Sequence, residues 1–234
     1  MTMTLIVVAV VSGALLVGAA WGIYGTLSKR TEGFLIALAG GALLLSVVSE
    51  LIEPSIEKSS VFHAMLGVAA GAIVFAVVDY LIDEKWGGES GGGLLAAITL
   101  DGIPENLALG VALIGAGPLE VAALAGSILL SNLPEAAGGA RAMSGDGHSK
   151  GKVMLMWAAT AALLSAAAII GNIALAGVGE EWLAIIRCFA AGAVVASLAT
   201  EVFPQAYKED RHWAGIATAL GVILAFVLGD LGAV

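Results

Sequence analysis

The sequence predicts an all-α, polytopic membrane protein: eight transmembrane helices in one domain, residues 1–234, with N- and C-termini outside. Three observations predict it. Of the 234 residues 59% are apolar, a further 32 are glycine and only 12% are charged, whereas soluble domains run near ~45–50% apolar with glycine counted and about 25% charged. Mean hydropathy is +1.00 over the whole chain, which leaves no stretch for a sizeable soluble domain or a disordered tail. Charged and Gly-rich punctuation then cuts the chain into apolar segments of about 20 residues, the length that spans a bilayer as a helix.

The segments run 4–25, 33–53, 60–83, 93–116, 119–140, 153–177, 182–207 and 212–231. The first lacks a basic n-region and a small-residue cleavage site, so it reads as a retained helix and not a signal peptide. Gly18/Gly22 and Gly67/Gly71 have GxxxG spacing, which lets helices approach closely, either inside the bundle or at a dimer seam. The loops between segments are short, except for EKWGGESGG (84–92) and RAMSGDGHSKGK (141–152), which are flexible by composition.

Lys and Arg are retained on the cytoplasmic side. With the N-terminus outside, the inner loops hold Lys29, Arg30, Lys85, Arg141, Lys150, Lys152, Lys208 and Arg211, eight of the ten basic residues, and the outer loops hold Lys58 alone. Trp21, Tyr24, Tyr80, Trp86, Trp157, Tyr207 and Trp213 fall at inner ends as headgroup anchors, and Trp182 marks the outer side. A net charge of −9 excludes a nucleic-acid role, because phosphate binding needs a basic face. The single cysteine, Cys188, excludes an internal disulfide and a cysteine zinc cage.

A charge at a helix centre costs roughly 2.5–3.5 kcal/mol on insertion scales, so ionisable residues inside spans mark sites or pathways. Asp79, Asp101, Glu105, Glu135 and Glu201 all lie inside the spans. Of the basic residues only Arg187 lies within a span, about a turn from the outer end of segment seven. Five acids without a basic partner call for a cation or for protons.

Segments four and five repeat one pattern: IPEN at 103–106 and LPEA at 133–136, preceded by Asp101-Gly102 and Ser131-Asn132 at the same spacings. A mid-helix proline removes a backbone hydrogen bond and displaces the carbonyl four residues back, here those of Leu100 and Leu130. Asp101 and Glu105 are four apart on one helical face, as are Ser131 and Glu135. At ~1.5 Å rise per residue, Glu105 lies roughly 18 Å from the inner end of segment four and Glu135 roughly 24 Å from the outer end of segment five. In antiparallel neighbours the two faces meet in the inner half of the bilayer. Carboxylates, hydroxyl, amide oxygen and freed carbonyls make an all-oxygen set for a divalent cation.

This duplicated proline-glutamate pattern in an eight-helix chain resembles the ZIP (Zrt/Irt-like) family of divalent metal transporters. There the fourth helix typically reads HNxPEG and the fifth a polar pair followed by xPEG. SELIEPSIEKS (49–59) and SLATEVFPQAYKE (197–209) are similar to prokaryotic members. The resemblance implies metal ligands at Asp101, Glu105, Ser131, Asn132 and Glu135, and Glu201 guiding the ion to a cytoplasmic exit. It also implies a homodimer.

Asp101 stands where the family has histidine and Gly102 where it has asparagine, and segment six holds no acid to complete a second metal site. Losing the imidazole shifts preference from zinc toward Mn²⁺, Fe²⁺ or Mg²⁺. No histidine-rich inner loop is present; Asp83, Glu84 and Glu89 stand there instead. His63, His148 and His212 at helix ends read as solvated polar residues. Glu50 and Glu53 read either as cation recruiters at the entrance or as a solvated helix end, and Asp79 with Asp83 as an inner exit pair or as solvated acids. Pro204 kinks segment seven beside Glu201.

The expectation is therefore a multi-pass protein of the cell (inner) membrane. It would carry a divalent transition metal (Zn²⁺, or a related ion such as Fe²⁺, Mn²⁺ or Cd²⁺) into the cytoplasm as substrate, with no cofactor and no enzymatic activity. One rival is a non-transporting relative serving as a sensor or membrane partner, supported by the altered His and Asn positions. Another is an intramembrane hydrolase, whose nearest signature, Val227-Leu228-Gly229-Asp230, lacks the first glycine of GxGD.

Overall fold

A computed structural model describes residues 2–86, 91–116 and 120–232. The described residues form eight continuous helical stretches and no strand. These are α1 (Thr2–Tyr24), α2 (Lys29–Val47, a π turn Val48–Ile52, then Glu53–Lys58), α3 (Val61–Trp86), α4 (Gly91–Ala112), α5 (Ala122–Gly145), α6 (Lys150–Leu175), α7 (Glu180–Ser197, a π turn Leu198–Val202, then Phe203–Glu209) and α8 (Ala214–Gly232).

Five stretches are long and apolar enough to cross a membrane: Thr4–Tyr24, Lys29–Lys58, Val61–Leu81, Lys150–Leu175 and Glu180–Glu209. Ala214–Asp230 is a shorter apolar helix. This all-helical, apolar architecture is that of a membrane protein. α4 and α5 are not among the five. They carry Asp101, Glu105, Asn106, Ser131, Asn132, Glu135 and Arg141, and their neighbours cover those polar groups.

Two ion pairs label the ends of the bundle. Lys58 pairs with Glu180 at 3.0 Å at one end, and Lys29 with Glu209 at 2.8 Å at the other. In between, α1 packs on α5 and α6, and α4 on α6, while α2 packs on α8 and α7, and α3 on α7. The two sets meet where α2 lies against α5 and α4 against α7. The main core is the seam where these four helices converge, with Ile36, Leu43, Val47, Leu51, Ala108, Leu109, Leu124, Ile128, Val194 and Leu198.

Glycine brings the backbones into contact. A Cβ on Gly18 or Gly22 would overlap the α5 backbone at Leu133 and Ala137, and one on Gly71 or Gly192 would drive α3 and α7 apart at Phe189 and Val68. Gly67 likewise faces Ile185 and Cys188. Both GxxxG pairs are thus spent on packing within the chain, where dispersion between close backbones replaces the missing hydrophobic drive.

Two sequence expectations are corrected. Arg141, placed in a loop, lies on α5, which runs on to Gly145. Its guanidinium donates to the Glu32 carboxylate at 2.5 Å and to the Leu27 carbonyl. Glu32 is only 3% exposed, and Gly138 leaves room for its carboxylate, which any Cβ there would displace. Trp157, expected at a headgroup belt, is fully buried, packed with Leu15, Ile98, Met143 and Leu164 against Gly139. The reason is that α6 begins at Lys150, two turns before it, so the indole lies below the helix end. Tyr24, Tyr80, Tyr207 and Trp213 are exposed as expected.

Candidate functional site

α4 and α5 continue as helices through Pro104 and Pro134. A proline donates no N–H, so the carbonyls of Leu100 and Leu130 have no i+4 donor. On α4, Glu105 is 3% exposed and Asp101 half-buried; on α5, Ser131 and Asn132 are buried and Glu135 is half-buried. The Ser131 hydroxyl donates to the Ile128 carbonyl at 3.0 Å, so its proton is spent on its own helix and its lone pairs remain. Asn132 donates its amide to the Val11 carbonyl at 3.0 Å, bolting α5 to α1 and leaving Oδ1 as the only ligand atom it can offer.

The acids share one field. The charges acting on Asp101 are those of Glu201, Glu105 and Asp79, and those acting on Glu135 are Glu105 and Asp101. Among the described residues no Lys or Arg acts on either. Acids of α3, α4, α5 and α7 thus lie within electrostatic reach of one another. The convergence is loose: among the described residues no three of Asp, Glu, His and Cys gather closely enough to hold one ion. Any ion held here draws part of its shell from hydroxyl, amide, carbonyl or water oxygens, which suits a hard or borderline divalent cation.

Three further polar groups stand out among the described residues, the first two beside these acids. Ser197 of α7 is fully buried beside Asp101, and its hydroxyl acts on the Asp101 carboxylate as a side-chain hydrogen-bond partner, although the contact falls short of regular hydrogen-bond geometry at Ser197 Oγ and Asp101 Oδ1. Asn106 is fully buried, donates to the Gly102 carbonyl at 2.9 Å and leaves its own Oδ1 without a partner. Ser197 precedes Glu201 by four residues, the spacing of Asp101–Glu105 and Ser131–Glu135, so the sequence carried that signal. The third group is Glu50, described next.

Glu50 and Glu201 each sit on a π turn, Val48–Ile52 and Leu198–Val202, just before Pro54 and Pro204. A proline that cannot donate disrupts the i→i+4 ladder, and the slack is taken up by i→i+5 bonds: Glu53 N–H reaches the Val48 carbonyl and Phe203 N–H that of Leu198. Each insertion turns one glutamate off the regular helical face. The kink at Pro204 was legible; its counterpart at Pro54 was not drawn from the same pattern. Glu53 is exposed, which fits the solvated reading, whereas Glu50 is half-buried and accepts the Leu124 amide at 3.0 Å.

Ser60 caps the start of α3, its Oγ accepting the His63 N–H at 3.2 Å and lying 3.0 Å from the ring Nδ1 of His63, and His212 is exposed, in line with a polar surface role. The side chains of Asp83 and Glu84, and Glu89, lie outside the described residues, so the inner exit pair rests on Asp79 alone.

Fold and site together define a class: an all-helical membrane protein whose polar interior is built of carboxylates and hydroxyls. A scan against protein-family models finds no match to this chain, and no curated protein matches it.

Proposed function

We propose that this chain crosses the membrane of the cell eight times with both termini outside, and carries a divalent transition-metal cation inward as a ZIP-like transporter. The observation that carries the reading is that Asp79, Asp101, Glu105, Glu135 and Glu201 act on one another, in a field to which, among the described residues, no Lys or Arg contributes at Asp101 or Glu135. Buried carboxylates are costly unless paired or neutralised by a cation. Asp101, Glu105, Ser131, Asn132 and Glu135 supply the ion's oxygens midway, and Glu201 receives it on the way to the Lys29 end. The division of the bundle into an α1/α4/α5/α6 set and an α2/α3/α7/α8 set suits alternating access, in which one set moves against the other around the site.

The looseness of the carboxylates gives the rival its footing. A non-transporting relative that senses metal, or binds a membrane partner, needs no closed ligand cage, and Asp101 and Gly102 replace the family's His-Asn pair. Initial uptake into proteoliposomes for Zn²⁺, Cd²⁺, Mn²⁺, Fe²⁺, Co²⁺ and Mg²⁺, with Glu135→Ala as control, separates the two. Saturable flux abolished by the substitution supports the transporter and names its metal. No flux for any ion, from protein shown to be folded, overturns it in favour of the sensor.

A further inference from the structure

At the Lys58 end a cavity of about 660 Å³ opens between α2, α4, α5 and α7, lined among others by Ser49, Glu50, Lys58, Glu120, Glu180 and Arg187. A second, of about 450 Å³, lies on the α8 side of the same acid, with Glu53, Glu120 and Asp230 in its wall. Glu50 faces both. Two cations also line the first cavity: Lys58 pairs with Glu180 in the same wall at 3.0 Å, and Arg187 donates to the Val111 and Ile114 carbonyls at 3.2 Å, so neither forms an ion pair with Glu50. The Glu50 carboxylate accepts the Leu124 amide at 3.0 Å on Oε1 and the neighbouring Ala123 amide also acts on it, so it caps the start of α5, while Oε2 is buried and completes no hydrogen bond of regular geometry. A carboxylate fixed by two backbone amides in the wall of both cavities is a positioned acceptor for a cation.

The next oxygens inward continue the line. One turn below Glu50, Ser46 is fully buried and stands 3.1 Å from Ser127 of α5, also fully buried. Each hydroxyl lies in bonding range of its own helix, Ser46 to the Ala42 carbonyl at 2.9 Å and Ser127 to the Ala123 carbonyl at 2.6 Å. Two protons cannot serve three contacts. With both given to the carbonyls, the two oxygens face each other lone pair to lone pair, an arrangement that a cation between or beside them relieves. On α5, Ser127, Ser131 and Glu135 follow at four-residue steps on one face, about 6 Å apart by helix rise.

We infer that Glu50 is a second cation-binding position, the first protein ligand a divalent ion meets at the Lys58 end, and that the Ser46–Ser127 pair passes the ion to Ser131 and Glu135. The π turn at Val48–Ile52 serves this by turning Glu50 into the cavity, as the turn at Leu198–Val202 places Glu201 on the far side of the site. The inference rests on the transport reading above and adds the mouth to it.

The test uses the full chain in proteoliposomes with the metal that the wild type transports. Glu50→Gln is expected to raise KM roughly ten-fold, about 1.4 kcal/mol of lost binding, with kcat little changed, and Glu50→Asp to recover most of it. Glu135→Ala, by contrast, abolishes flux. Independently, Glu50→Cys in a Cys188→Ala background is labelled from the Lys58 end by a membrane-impermeant thiol reagent, and Cd²⁺ slows the labelling. Ser49→Cys, one residue away, is not protected. An unchanged KM in Glu50→Gln, or equal Cd²⁺ protection at both cysteines, overturns the assignment of Glu50 while leaving the transporter standing. Absence of flux in the wild type instead removes the transport reading and this inference with it.

Discussion

Replacing Arg141 by Met strips the Glu32 carboxylate of its cationic hydrogen-bond partner in a place that is 4% exposed on the glutamate side and 34% on the arginine side. Breaking a buried pair by removing one partner costs about 3–5 kcal/mol because the other charge is left uncompensated. The partial exposure of Arg141 puts the expected loss near the low end, about 3 kcal/mol. The Leu27 carbonyl loses its donor too, which adds about 1 kcal/mol. For a chain of this size the combined loss of about 4 kcal/mol corresponds to a fall in melting temperature of roughly 8–16 °C on soluble-protein scaling. The assay is thermal denaturation in detergent, followed by the loss of the monodisperse peak on size exclusion. The decisive comparison is the double variant Glu32→Met with Arg141→Met. Removing both charges is expected to return stability to within about 1–2 kcal/mol of the wild type, since apolar replacement of a buried pair is often neutral. A double variant as unstable as Arg141→Met alone, or a single variant that loses less than about 1 kcal/mol, would refute the view that desolvation of Glu32 sets the cost.

Three other outcomes are expected. Ser197→Ala removes a buried hydroxyl whose contact with the Asp101 carboxylate falls short of a regular hydrogen bond, so thermal stability should change by no more than about 1 kcal/mol while metal uptake slows; a larger fall in stability together with slowed uptake would make Ser197 a structural residue. Pro204→Ala restores an N–H that can close the π turn and rotate Glu201 by about 100°, so uptake should drop in a protein that still melts normally. Gly13→Ala, in a helix interior where a Cβ meets nothing within 4 Å, should stabilise by about 0.5–1 kcal/mol, whereas Gly71→Leu, whose side chain would displace the Phe189 backbone, should destabilise by at least about 1–3 kcal/mol. Both are read by melting temperature.

The helices were legible in the sequence because their cause is local. Apolar runs of about 20 residues bounded by charge leave the backbone no other way to satisfy its N–H and C=O groups in lipid, and all eight segments appear as helices, five of them meeting the length and hydropathy of a span. The acids of α4 and α5 were legible for a similar reason: Asp101–Glu105 and Ser131–Glu135 repeat at i, i+4 around a proline, and helix geometry alone puts each pair on one face. Ser197–Glu201 obeys the same spacing and was available to the same reading.

What the tertiary structure alone decided is which faces meet. Glu32 and Arg141 are 109 residues apart, and Glu50 and Leu124 74 apart; no periodicity connects them, because their contact depends on α2 lying against α5. Trp157 looked like a headgroup anchor by position and is core because Gly139 opens a slot for its ring. In the sequence Glu50 reads equally as a cation recruiter or a solvated helix end; the π turn before Pro54 and the Leu124 amide are what fix its carboxylate at the start of α5. Local chemistry sets where a helix runs and which residues share its face; burial and partners follow from how helices distant in sequence cross, and that is settled by close glycine contacts and side-chain volume between chain segments.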